Sequence, residues 1–172
     1  SCSSGGNRFD LGMLYYTPQI WASDNTDGYD RSKIQEGTLI GYPQATIGCH
    51  VSHSPNGGTR RVLTLEDRFN IACIGAFGYE LDITLFDQQT TSVIQKQISF
   101  YREHRALIQL GEYHQIGSAF KGDFFGWVIF SANHSQAMAM LALRDPKVEA
   151  MAHFTGFDET TRYDVSARPQ SN

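Results

Sequence analysis

ATIGCHVSHSPNGGTRRVLTLEDRFNIACIGAFGYEL, residues 45–81, places two short apolar runs on either side of a helical pattern. Ala45 to Val51 has strand length and β-branched Thr, Ile and Val. The loop SHSPNGGTRR follows, with Pro55, Asn56, Gly57 and Gly58 as breakers. From Leu63 to Cys73, Leu65, Phe69 and Ala72 recur at helical steps and share one face. Gly75 to Leu81 reads as a second short, buried strand. Strand, helix and strand in this order are βα units.

Upstream, Met13 to Trp21 is apolar and aromatic but broken by Pro18. Residues 22–31 are polar and turn-like, and a short helix can start near Asp27, with Arg31 and Ile34 on later turns. Downstream lies the clearest helix, about Thr91 to Leu110, with Ile94, Ile98, Tyr101, Arg105 and Ile108 at three- and four-residue steps. Ser92 with Gln95 resembles a weak capping box, and Gly111 ends the helix. Beyond Tyr113 the texture is β. Gly126 to Ser131 and Gln136 to Leu143, joined by ANHS, predict one hairpin. Val148 to Phe154 and Arg162 to Val165 predict another. The reading therefore divides the chain into an α/β part, 1–113, and a β part, 114–172. Three βα units cannot close a barrel by themselves.

The bulk composition excludes some functions. Of 172 residues, 41% are hydrophobic and 19% charged, with a net charge of -4, as in ordinary globular proteins. No basic cluster invites nucleic acid, and no apolar run approaches the roughly 20 residues of a membrane span. The 12% aromatic content suits a carbohydrate site without demanding one. Cys2, Cys49 and Cys73 form neither a disulfide framework nor a zinc motif. They point to a reducing compartment or to indifference to redox state, and the expected location is cytoplasmic.

By residue type alone, SDNTDGYDR groups Asp24, Asp27 and Asp30 with Arg31. A solvated acidic loop ending in a helix cap explains that grouping. An EF-hand does not, because the Asp spacing is wrong and the closing Glu is missing. His50 and His53 flank a strand end without further metal ligands nearby, so a structural role fits them. Cys2 has no general base adjacent in sequence, and Ser3 and Ser4 lack a hydrolase elbow.

Taken in series, the motifs say more. CSSGGNRFDLGMLYYTPQIWASDNTDGYDRSKIQEGTLIGYP at 2–43, HVSHSPN at 50–56 and GAFGYELD at 75–82 closely resemble the α-galactosidases of glycoside hydrolase family 36. The likeness spans about 1–113. It implies an α/β architecture: the C-terminal part of a (β/α)₈ TIM barrel, followed by part of an antiparallel β-sandwich. On that pattern Cys2 ends the sixth barrel strand, Ala45–Val51 is the seventh, Gly75–Leu81 the eighth, and 91–110 the last barrel helix. The family's S-D-x-x-D-x-x-x-R pattern is met by Ser23, Asp24, Asp27 and Arg31. The resemblance makes Asp24 the general acid/base, with Asp27 and Arg31 in support and Arg31 orienting the motif's carboxylates. The CSSGG turn implies that Cys2 and Gly5 contact the sugar. The substrate implied is an α-galactoside of the melibiose or raffinose kind, with no metal or organic cofactor. The intact enzyme is expected to be a homo-oligomer.

Some positions depart from the pattern. Gly28 stands where Ala is expected, Gly12 where Pro is common, and Cys49 where a small residue precedes the histidine. The family nucleophile, an Asp in a K-W-D motif on the fourth barrel strand, is absent from these 172 residues. The chain alone is therefore expected to be inactive. Two rival readings are a glycosyltransferring relative of the raffinose-synthase type and a non-catalytic carbohydrate-binding or oligomerisation module.

Overall fold

The computed structural model describes residues 11–145, 147, 149, 151–158 and 160–168. The chain divides after Leu110 into two compact units.

In the first unit, β1 (Gly48–Ser52) pairs in parallel with β2 (Ala76–Glu80), Gly48 opposite Ala76 and Ser52 opposite Glu80. The helix α2 (Leu65–Ala72) makes the crossover. β1 is buried along nearly its whole length, as a parallel strand covered on both faces should be. The expected strand at Ala45 starts three residues later. Gln44–Thr46 instead form a turn of 3₁₀ helix, with the Thr46 amide bonded to the Pro43 carbonyl. β2 is half-buried rather than buried.

A third parallel segment stands on the other side of β1. Ile20 bridges Ile47, its amide donating to Thr46 O at 2.7 Å and its carbonyl accepting from Gly48 N at 2.8 Å. The run carries no strand signal in sequence, since Pro18 interrupts it, and the ladder is a single bridge. The neighbour of β1 is thus the Ile20 segment, not one ending at Cys2. Between that segment and β1 runs α1 (Gly28–Leu39), which starts where the turn chemistry predicts, with Asp27 as N-cap.

The helix α3 (Gln88–Leu110) follows β2. It begins three residues before the predicted start. Asp87 caps it by accepting from the Thr90 amide at 2.7 Å, so Ser92 and Gln95 lie inside the helix. Its buried side chains are Ile94, Gln97, Tyr101 and Ile108. Tyr101 donates to the Gly75 carbonyl at 2.6 Å. Gln97 donates to Glu66 at 2.8 Å and accepts from the Tyr79 hydroxyl at 2.7 Å, so one amide ties α3 to α2 and β2. Phe69, fully buried, meets Phe77 edge-on at 5.3 Å. Truncating such a ring costs about 3–5 kcal/mol. A Cβ on Gly75 would lie 2.3 Å from Ile47 O, so a side chain there would push β1 and β2 apart.

The second unit is a three-stranded antiparallel meander. β4 (Phe124–Phe130) lies between β3 (Glu112–Gly117) and β5 (Ala137–Leu143). The predicted β4–β5 hairpin forms, with Phe130 opposite Ala137. β3 is an addition. Its mixed pattern, EYHQIG, buries only Ile116. The second predicted hairpin does not form: no described residue after Leu143 lies in a strand. That segment is held by side chains instead. Phe157 packs on Phe130 at 4.9 Å, and the Tyr163 hydroxyl donates to His134 O at 3.1 Å. Rings seated on β4 replace a backbone ladder.

No helix among the described residues is long and apolar enough to cross a membrane.

Candidate active site

The turn from Ser23 to Asp27 leaves the end of the Ile20 segment and feeds α1. Asp24 is exposed on it. Both of its chain neighbours are tied down. The Asn25 amide donates to Ser23 Oγ at 3.1 Å, and Ser23 O accepts from Arg31 at 3.1 Å. The Asn25 side chain accepts from the Asp27 amide at 3.0 Å and donates to Asp30 at 2.9 Å. Two more bonds fasten the turn to β1 and the loop after it. Ser52 Oγ donates to Thr26 O at 2.7 Å, and Asn56 Nδ2 donates to Thr26 Oγ1 at 3.4 Å. Asp24 therefore sits at the C-terminal ends of parallel strands, where βα architectures place their chemistry.

Asp27 is a helix cap but not a solvated one, being only 1% exposed. Its Oδ1 accepts from the Asp30 amide at 3.0 Å and from Arg61, and its Oδ2 accepts from the Thr59 hydroxyl at 2.6 Å. Burial alone would raise its pKa. The bonds from Thr59 and the Asp30 amide, together with the Arg61 charge, outweigh burial and hold the carboxyl below the ordinary 3.8. Asp27 is therefore an anion fixed in place.

Arg31 is 2% exposed and supports the motif through the backbone. It donates to the carbonyls of Ser23 and Gly48, the latter at 2.9 Å, and its guanidinium lies 5.2 Å from the Trp21 ring. Of the motif's carboxylates, Asp27 is held by Arg61. Trp21 also packs on His50, centroids 4.4 Å apart. Burial pushes the His50 pKa down from 6.5. Glu80, 3.9 Å away, opposes that shift and Arg31 adds to it. Cys49, on β1, is fully buried beside Gln35, and burial pushes its thiol up to about 11. It is a packing residue, not a nucleophile.

A Cβ on Gly28 would stand 2.9 Å from Leu63 Cδ1, a flexible side-chain end that can shift, so the structure gives no reason for Gly over Ala here. Cys2 and Gly5 lie outside the described residues. Sequence reasoning missed Thr59 and Arg61, which lie 32 and 34 residues after Asp27 in a loop that looked like punctuation.

Residues 1–111 match the Melibiase family. The chain belongs to the melibiase family. Among its melibiase relatives is the α-galactosidase AgaA of Geobacillus stearothermophilus, 46% identical over 138 residues, covering 80% of this chain and 19% of AgaA. The α-galactosidase Mel36A of Lactobacillus acidophilus is 37% identical over 171 residues, covering 94% of this chain and 22% of Mel36A. The crystal structure of AgaA, a GH36 enzyme, superposes with a TM-score of 0.84 at 41% identity, over 90% of this chain and 22% of that one. A variant of AgaA solved with raffinose gives 0.84 at 40% identity, over 91% and 22%. Another was solved with stachyose. This melibiase-family chain spans about a fifth of the length of these relatives.

Proposed function

We propose that the chain supplies the acid/base side of a retaining α-galactosidase acting on raffinose-type galactosides, within a longer polypeptide that also supplies the nucleophile. The observation that carries this reading is Asp24, exposed between two pinned neighbours in the melibiase-matching region. The relatives solved with raffinose and stachyose support the substrate class.

In this reading residues 1–113 are the last part of a (β/α)₈ catalytic barrel and 114–172 part of a β-sandwich. If β1 and β2 are the seventh and eighth strands, the Ile20 segment is the sixth. Cys2 and Gly5 contact the galactose in this reading. The longer enzyme assembles as a homo-oligomer in the cytoplasm.

The reaction is a double displacement. A carboxylate from outside this chain attacks the anomeric carbon while protonated Asp24 donates its proton to the leaving oxygen. Asp24 then takes a proton from water, which attacks the glycosyl-enzyme and releases galactose with retained configuration. The two carboxyl groups must stand about 5–5.5 Å apart. Without the nucleophile no covalent intermediate forms, so the 172-residue chain alone should not turn over.

The test is Asp24→Ala in the longer polypeptide. Raffinose hydrolysis should fall by about 10²–10⁴-fold. Added azide, which needs no general base, should capture the intermediate as α-galactosyl azide. Unchanged raffinose hydrolysis would refute the assignment.

A further inference from the structure

We propose that Arg61, together with Thr59, is a positioning residue for the acid/base carboxylate, acting through Asp27, Asp30 and Asn25 on the turn that carries Asp24. The inference rests on the proposed role of Asp24.

The links are continuous. Arg61 pairs with Asp27 Oδ1 and lies 3.5 Å from Asp30 Oδ1. Asp30 Oδ2 accepts from the Asn25 amide group at 2.9 Å, and Asn25 Oδ1 accepts from the Asp27 amide at 3.0 Å. Asn25 in turn bonds Ser23 through its backbone N–H. The residues before and after Asp24 are thus both set by a network whose cation comes from the loop after β1. The guanidinium is itself located, 4.8 Å from the Tyr29 ring. Thr59 holds the other oxygen of Asp27.

A buried carboxylate keeps its charge only while its partners stay. Among the described residues, removing Arg61 leaves Asp27 with a neutral hydroxyl and one amide and takes away the cation beside Asp30 Oδ1. Asn25 then keeps the bond from the Asp27 amide but loses a fixed acceptor for its own amide group. The turn can still form, but Asp24 is no longer confined. Proton transfer to a leaving oxygen is sensitive to that loss, since a misplacement of about 1 Å can cost about 100-fold.

A positioning role for an acid has a signature that plain destabilisation lacks. A sugar leaving group needs the proton, whereas a 2,4-dinitrophenolate needs little of it. In the longer polypeptide, Arg61→Met should lower kcat/KM for raffinose about 10- to 100-fold. For 2,4-dinitrophenyl α-galactoside it should fall less than about threefold, because little acid assistance is lost. Arg61→Lys, which restores the charge without the fork, should recover part of the raffinose rate. Equal falls on the two substrates, or no fall on either, would overturn the proposal. Asp24→Asn run alongside should show the same split between leaving groups. Its absence there refutes the role of Asp24 itself, and its presence there but not in Arg61→Met refutes only the positioning. If Arg61→Met does not fold, Thr59→Val carries the same comparison.

Discussion

Replacing Asp27 by Ala should loosen the start of α1 by an amount that the structure bounds. The substitution removes the cap bond to the Asp30 amide, the acceptor of the Thr59 hydroxyl and the partner of Arg61. An N-cap is worth about 1 kcal/mol, and a lost hydroxyl bond about 1 kcal/mol more. The Arg61 side chain is 37% exposed, so solvent screens its pair, which adds at most about 1 kcal/mol. Together these amount to about 2–3 kcal/mol. Hydrogen exchange of peptides covering residues 28–35 in the longer polypeptide reads this directly, because α1 opens locally. Exchange should accelerate about 30- to 150-fold. Asp27→Asn keeps a capping oxygen and should lose much less, about tenfold or under. Acceleration of less than about threefold for Ala, or an equal effect for Asn, would refute the reasoning. The same carboxylate gives the turn a pH dependence. Its folded pKa is held below 3.8, so its contribution is complete above the ordinary carboxylate value and is lost as the pH falls through the folded one. The wild-type turn should therefore lose protection in acid, and Asp27→Asn should lack that increment.

Two further outcomes follow from β1. Cys49, with its thiol pushed up to about 11 by burial, should resist alkylation by iodoacetamide at pH 8 until the protein is denatured; modification in the native state would contradict its packing role. His50, lowered by burial against the opposing charge of Glu80, should titrate below 6.5 by NMR and lower still in Glu80→Gln. Its depressed pKa means that stability is present above 6.5 and declines as the pH falls, and a midpoint at or above 6.5 would contradict the placement.

Much of this molecule is legible locally. α2 and α3 are visible as 3.6-residue patterns because each buries one stripe, and Asp27 announces the start of α1. The β4–β5 hairpin shows in its apolar runs and polar turn. The motif order carries the family. Where the reading slipped, the missing information was distant in sequence. Two rings, Phe157 on Phe130 and Tyr163 on the His134 carbonyl, hold the C-terminal segment whose apolar runs predict a hairpin. Ile20 becomes strand-like only because Thr46 and Gly48 offer it partners.

The sequence by itself set Asp24, Asp27 and Arg31 within one short polar segment, with strands and helices alternating around it, because periodicity and spacing are properties of the local chain. Their joint motif is what the family resemblance implies. Only the tertiary structure decided what each motif residue holds. Asp27 is anchored by Thr59 and Arg61, and Arg31 grips the carbonyls of Ser23 and Gly48. A buried charge takes whichever donors the fold brings within reach, and here those donors lie some thirty residues away in a loop that carries no pattern of its own.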